Sequence, residues 1–425
     1  MNASLLLQRS VLGAMFFGLA AGPLTCAQPE CVVPDYRDPE CRVIVEGELA
    51  RLRAAVGVEL RFHDPEVADL DTWDALGLLR EDPDGRIRAR LAGLGDFLLS
   101  VRGAADQPLQ SAQITLEMHN VDPAALLTVD PPTALLAAAP PALLTRELTL
   151  QIGAGERVTV RGARPCPSRY HLAFVGDIQT NPLQFERILT KMAQDGQALA
   201  AAGEPLLGLV IVGDLTEWSY EVEFAQIAEI LARAPAPAAV TAGNHDIFRK
   251  IVATYNMTFG PANYASTICG VRLALLDSGS AGLARSIEGR LPELLDRRGQ
   301  AHLVAATHIA PYAGLTGDGW VREDQADMIL AELALQRADL LIAGHSHALI
   351  DYPRIEAGAH QLREIIVGTG GASQGVGVAR FGYLLVRVGE RLDPCFVEVP
   401  PPGWSGPANR PLSAALPYCD DLSGS

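Results

Sequence analysis

The sequence predicts an α/β domain preceded by a small β-sandwich-like domain, and two patterns carry that expectation. After Tyr170, apolar strand-like runs alternate with amphipathic helical stretches, as in a sheet buried beneath helices. From Gln28 to about Arg164 the chain is instead rich in proline and turn residues, with short β-prone runs between them, as in paired antiparallel strands. A length of 425 residues accommodates two domains. With 48% hydrophobic and 20% charged residues, wholesale disorder is excluded.

Residues 1–27 read as a secretory signal peptide: one cation at Arg9, an uncharged run from Val11 to Leu24, then small residues at Thr25 and Ala27. The run is too short to span a bilayer and Pro23 breaks its end. Further on, Asp130 and a proline pair interrupt the Ala/Leu-rich stretch near residues 124–144, so no transmembrane segment is expected. Of the seven cysteines, six remain after cleavage behind Ala27. An even number without a CxxC pair suits up to three disulfides in a secreted or periplasmic protein. Cleavage just before Cys26, giving a lipid-anchored protein, is the second reading.

Residues 28–166 form the β-rich domain, with strands around Ile114–Met118, Leu148–Ile152 and Arg157–Val160. No cluster of metal-binding side chains lies there, which points to a structural or positioning module, with association with the cell envelope as one use. Residues 167–390 form the α/β domain and 391–425 a C-terminal tail. Strand runs in the α/β domain are His171–Val175, Leu206–Val212, Ala238–Thr241, Arg272–Leu276, Leu303–Ala306, Leu340–Ala343 and Glu364–Val367. Phe185, Ile188, Leu189 and Met192 recur at helical spacing, as do Phe224, Ile227 and Leu231. Both faces are expected to pack on the sheet as core.

Charge excludes some functions. Lys and Arg number 34 against 50 Asp and Glu, a net −16, so no nucleic-acid binding is expected. The only lysines are Lys191 and Lys250, neither in a Gly-rich loop, which argues against a P-loop or Schiff-base enzyme.

Chemistry-bearing residues stand where the strand runs end. Val175 leads into Gly176-Asp177-Ile178-Gln179, Val212 into Gly213-Asp214, and Thr241 into Gly243-Asn244-His245-Asp246. Ala306 leads into Thr307-His308, and Ala343 into Gly344-His345-Ser346-His347. Ligands of open α/β sheets bind beyond the carboxyl ends of strands. Carboxylates, amides and imidazoles together suit Mn, Fe or Zn better than Ca or Mg, which prefer oxygen-only shells. Each motif alone is weak, since an Asn-His-Asp triplet also caps helices; the ordered set of five is strong.

These five motifs, in this order and spacing, resemble the calcineurin-like metallophosphoesterases over about Tyr170 to Val388, as do Phe259-Gly260-Pro261 followed by Tyr264, and Leu276-Asp277-Ser278. The resemblance implies a metallophosphoesterase-type αββα sandwich, two mixed sheets flanked by helices, with a two-metal site at one edge. It implies that Asp177, Gln179, Asp214 and His347 hold one transition-metal ion and that Asp214 also bridges to a second, completed by Asn244, His308 and His345. It implies that His245 protonates the leaving oxygen, with Asp246 orienting it. Gln179 departs from the His of many members and is the weaker ligand. Glu217 stands where purple acid phosphatases carry a metal-binding Tyr, and Tyr220 is misplaced for that role.

Other residues receive plainer readings. His171 and His302 are expected at the surface or sheet edge, and His63, His119 and His360 as solvated. Asp64 to Asp74 is expected as a solvated acidic face. Gly368-Thr369-Gly370-Gly371 is expected as a tight turn able to offer N–H groups to substrate. The function expected is hydrolysis of a small phosphate ester, most simply a monoester, by metal-activated water. Phosphodiester hydrolysis is the alternative within the class. Outside it stands a weakly active metal domain carried by a β-module that binds cell wall or a partner protein.

Overall fold

A computed structural model describes residues 31, 35–67, 70–72, 74–104, 111–312, 314, 316–357, 360–374, 379–404 and 415–419. The expected signal peptide and Cys26 lie outside these residues.

The first described element is helix α1 (Pro39–Leu49). The first domain follows as β1 (Arg51–Arg53), β2 (Val58–His63), β3 (Gly77–Glu81), β4 (Ile87–Leu91), β5 (Phe97–Gly103), β6 (Ser111–His119), β7 (Leu126–Asp130), β8 (Leu135–Ala138), β9 (Thr145–Gly153) and β10 (Arg157–Ala163). These strands pair in two five-stranded sheets, ordered β1-β2-β5-β10-β7 and β3-β4-β6-β9-β8. Inward side chains of both, among them Leu60, Leu99, Leu116 and Leu150, make one apolar core. Alternation decides which residues face in: along β9 every second side chain is buried.

The second domain holds β11 (Tyr170–Val175), α2 (Pro182–Ala201), β12 (Leu206–Val212), α3 (Glu221–Leu231), β13 (Ala238–Thr241), α4 (Thr254–Phe259), β14 (Tyr264–Ile268), β15 (Val271–Leu276), α5 (Arg285–Glu288), α6 (Leu291–Leu294), β16 (His302–Thr307), α7 (Glu323–Leu335), β17 (Leu340–Ala343), β18 (Leu349–Ala357), β19 (His360–Val367), β20 (Gly382–Val388) and β21 (Leu392–Glu398). One sheet runs β13-β12-β11-β20-β21 and the other β14-β15-β16-β17-β19-β18. In the first, β11, β12 and β13 are parallel while β20 runs antiparallel to β11; the second is mixed likewise.

Three apolar layers hold these sheets. Phe174, Val210, Leu273 and Val304 fill the space between them. Phe185, Ile188, Leu189, Met192, Phe224, Ile227 and Leu231, the helical faces expected as core, cover the outer face of the first sheet. Ile329, Leu333 and Leu295 cover the second. The αββα sandwich expected from the sequence is therefore present. Each fully buried aliphatic or aromatic side chain contributes about 1.5–3 kcal/mol.

Several expectations need correction. The sheet does not stop at residue 390: β21 is its edge strand, and a Cys395–Cys419 disulfide ties the following segment back to it. Of the acidic stretch, Asp71 is exposed as expected, but the two ends meet the second domain, where Arg298 pairs with Asp64 and Glu66, and Arg290 lies 3.6 Å from Asp74. His63, His171 and His302 are buried. Backbone carbonyls at Thr72, Glu204 and Gly389 each hydrogen-bond one nitrogen of these rings, which helps imidazole to be tolerated there. His119 and His360 are half-buried, the former 2.6 Å from Glu117.

Helix α1 adds to the expected elements. Its start is written locally, since Asp38 caps the Glu40 N–H and Pro39 occupies the first turn. Its buried face reaches the second domain, where Arg42 pairs with Asp277 and Glu46 accepts from the Ala262 N–H at 2.9 Å. Asn120 of the first domain bonds both the N–H and the C=O of Ala238, on β13. Disulfides Cys31–Cys41 and Cys166–Cys269 fasten α1 and the interdomain connection.

Candidate metal centre

The carboxyl ends of β11, β12, β13, β16 and β17 converge, and each delivers one of the five motifs. Asp177, Asp214, His345 and His347 all have positive φ, between 45° and 69°. Non-glycine residues rarely adopt this region, at a cost of about 1–3 kcal/mol each, and they concentrate at functional sites. Sharp turns there let short side chains fold back over the sheet edge. Glycine makes two approaches possible. A Cβ on Gly213, itself at φ 87°, would lie 2.6 Å from the His308 Nδ1, and one on Gly368 would lie 2.6 Å from the Asp177 Oδ2.

Two overlapping donor groups result, Asp177–Asp214–His347 and Asp214–His308–His345, with each group's ligand atoms within 4.8 Å of one another. Asp214 belongs to both. Its Oδ2 lies 3.3 Å from the His308 Nε2, while the His347 Nε2 is 3.6 Å from the Asp177 Oδ1. The Asn244 Oδ1 sits 2.9 Å from both the His308 Nε2 and the His345 Nδ1. Gln179 donates to the Asp214 Oδ2 at 2.9 Å and lies 2.9 Å from the His347 Nε2. All seven side chains expected as ligands are thus brought together.

The surroundings prepare these groups for a cation. A backbone carbonyl can only accept, so Val212 at 2.8 Å and Ser373 at 2.9 Å hold the proton of His308 and His347 on Nδ1. Their Nε2 lone pairs are thereby turned into the cluster, the usual arrangement behind a metal-ligating imidazole. The Gln179 Oε1 is buried without a partner, an orphaned acceptor at the centre of a donor set. Orphaned acceptor, mixed carboxylate and imidazole donors and oriented tautomers together fit a pair of transition-metal ions.

Without a cation the cluster balances its own charge. Burial, with the nearby Asp214 charge, pushes Asp177 up to about 6. Burial would lower His308, but the charge and hydrogen bond of Asp214 outweigh it and raise the imidazole to about 9. Burial and the neighbouring His308 bring His345 down to about 4.

His245 lies beside this group. Its N–H donates to the Asp214 Oδ1 at 2.9 Å and its Nδ1 donates to the Glu217 carbonyl at 2.9 Å. A Glu217 carboxylate oxygen, otherwise without a hydrogen-bond partner, stands 3.9 Å from that Nδ1. Asp246 does not hold the ring. Its carboxylate accepts from the N–H groups of Gly243, Leu215 and Thr216 and from the Thr216 hydroxyl. It pins the loop after β12 to the loop after β13, and Glu217 takes over the orienting contact. Sequence spacing could not separate these, because Glu217 reaches His245 only through the fold.

Gly368, Thr369 and Gly370 spend their N–H groups on the carbonyls of Ala348, Val367 and Gly176, so this turn packs the site edge and offers none of these three amides to a ligand. Ser278 is buried and its Oγ accepts the N–H groups of His308 and Ile309. Tyr220 is exposed, beneath the Arg249 guanidinium. A cavity of about 630 Å³ between the two domains is lined by Arg80, Arg88, Arg90 and His119, among others, and by none of the metal-centre residues.

An αββα sandwich with two carboxylates, two amides and three imidazoles at one edge defines a metal-dependent phosphoesterase. Residues 170–349 match the model of the calcineurin-like phosphoesterase family. Similar solved structures include a purple acid phosphatase from yellow lupin (Lupinus luteus) seeds, at 14% identity and TM-score 0.44, covering 72% of this chain and 70% of that one. PhoD is similar at 14% identity and TM-score 0.43, covering 74% and 84%. A dimetal phosphatase from Danio rerio is similar at 12% identity and TM-score 0.38, covering 53% and 94%. Among curated proteins none matches. Among the described residues no helix is long and apolar enough to cross a membrane.

Proposed function

We propose that this protein is a secreted or periplasmic dinuclear-metal phosphomonoesterase. The observation that carries the reading is the double membership of Asp214, the carboxylate common to both donor groups. Asp177, Gln179 and His347 would hold one ion with it, and Asn244, His308 and His345 the other. When bound, the two ions supply charge neutralisation for the phosphoryl oxygens and lower the pKa of water. Three disulfides support an oxidising compartment.

His245 carries the remaining chemistry. With Nδ1–H held on the Glu217 carbonyl, its Nε2 is the atom that exchanges a proton. The phosphorus–oxygen bond to the alcohol breaks as the bond to water forms. The Nε2 proton goes to the departing oxygen, and one from water replaces it. Such proton transfer is typically worth about 10²–10⁴ in rate.

The test combines metal analysis of the mature chain with hydrolysis of p-nitrophenyl phosphate and bis(p-nitrophenyl) phosphate. Two bound ions and preferential cleavage of the monoester are expected. Preference for the bis-ester would make the protein a phosphodiesterase, and a metal-free, inert chain would remove the reading.

A further inference from the structure

The wall beside His245 is aromatic and exposed, which is unusual for large apolar side chains held rigidly. Trp218 is 56% exposed and Phe248 42%. Their ring centroids are 6.1 Å apart at an interplanar angle of 43°, and the Phe248 ring lies 4.7 Å from the His245 ring. Neither aromatic sits on a loose loop. Ser219, at φ 57°, donates its hydroxyl to the His245 carbonyl at 2.5 Å and accepts the Phe248 N–H at 2.8 Å. The Trp218 N–H is held by the Glu223 carboxylate at 3.2 Å. The same carboxylate takes the Tyr220 N–H at 2.8 Å and so fixes the start of α3. Two turns from different strands are thus locked together with their rings facing outward.

Exposed aromatic surface that is fixed in place is a recognition feature more often than an accident of folding. Its position says what it recognises. A leaving group whose oxygen reaches the His245 Nε2 lies beside the His245 ring, which the Phe248 ring flanks at 4.7 Å between centroids, with Trp218 next to Phe248. Those rings offer π-faces and few hydrogen-bonding groups, which suits a flat ring and gives a polyol nothing to bond. We propose that Trp218 and Phe248 form the leaving-group subsite and that the substrate is a phosphate ester whose alcohol carries a planar aromatic ring. The proposal rests on the monoesterase reading and adds the substrate class to it.

The test uses three monoesters with primary alkoxide leaving groups, so that leaving-group basicity is matched: glycerol 3-phosphate, benzyl phosphate and adenosine 5′-phosphate. The wild-type protein, with its metals, is expected to favour at least one aromatic ester over glycerol 3-phosphate by about tenfold in kcat/KM, the scale of one stacked ring. Trp218→Ala and Phe248→Ala should each cut that ratio by about threefold or more, and Trp218→Phe should restore part of it. Preference for the adenosine ester identifies a nucleoside as the source of the ring, and preference confined to the benzyl ester identifies a simple aryl alcohol. A wild-type ratio near one, or variants that lower all three esters alike, overturns the subsite while leaving the phosphatase standing. Turnover of none of the three overturns the monoesterase reading itself, and the subsite with it.

Discussion

The Arg42 Nε donates to the Asp277 Oδ2 at 2.6 Å, joining residues 235 positions apart. Both side chains are almost wholly buried. Arg42 also donates to the Tyr36 carbonyl and the Ser280 hydroxyl. Ser278, one residue from Asp277, holds the backbone of His308. Helix α1 is thereby linked, through Asp277 and the adjoining Ser278, to the backbone of His308 in the metal centre.

Removing one partner of a buried ion pair strands the other charge, at a cost of about 3–5 kcal/mol. Arg42→Met is expected to lower the stability of the folded chain by that amount, read from its denaturant midpoint. An unchanged midpoint would mean that α1 does not dock as described.

Glu46, one turn along the same helix, sets a pH dependence. Burial pushes its carboxyl up to about 8, against the N–H groups of Ala262 and Asn263 that pull it down. The folded chain keeps a proton that the unfolded chain releases near the ordinary value of 4.5. Its contribution to stability is therefore complete below about 4.5 and is lost as pH rises through about 8. Glu46→Gln keeps the neutral form at every pH. Its thermal midpoint should match the wild type near pH 4.5 and exceed it at pH 8–9; parallel pH curves for the two proteins would refute this.

His245→Ala should retain its metal yet lose about 10²–10⁴ in turnover, with the smaller loss for p-nitrophenyl phosphate, whose leaving group needs little proton assistance. Glu217→Gln should weaken turnover less, since the carbonyl contact to Nδ1 persists. Equal losses for good and poor leaving groups would exclude proton donation by His245.

Gln179 offers a neutral oxygen where imidazole would bind more strongly. Gln179→His is expected to raise retention of one cation against a chelator by at least about tenfold, and Gln179→Ala to release one cation before the other. Metal content after graded chelator dialysis measures both.

Much of the fold and the site is legible in the sequence because the motifs follow buried strands. β11, β12 and β17 are runs of apolar residues ended by Gly and a ligand, so residue order alone places Asp177, Asp214 and His345 on one sheet edge. Edge strands are less visible: β18 carries Asp351, Tyr352, Pro353 and Arg354, and only two of its nine residues are buried, so no apolar run marks it. Helix α1 is hard to see because it is short and weakly amphipathic, although Asp38-Pro39-Glu40 is a legible start signal. Adjacency points to Asp246 for the orienting contact at His245, yet that carboxylate is consumed by backbone N–H groups. Trp218 and Phe248 carry no signal alone, since their juxtaposition depends on Ser219 joining two distant loops.

The proposed chemistry depends most on Asp214 being common to two cation sites. Elemental analysis of the metal-loaded protein and of Asp214→Ala, with p-nitrophenyl phosphate turnover on the same samples, tests this most directly. Two ions per wild-type chain are expected, with fewer than one in the variant and no turnover there. A variant that still held two ions and hydrolysed the ester would contradict the shared-carboxylate centre.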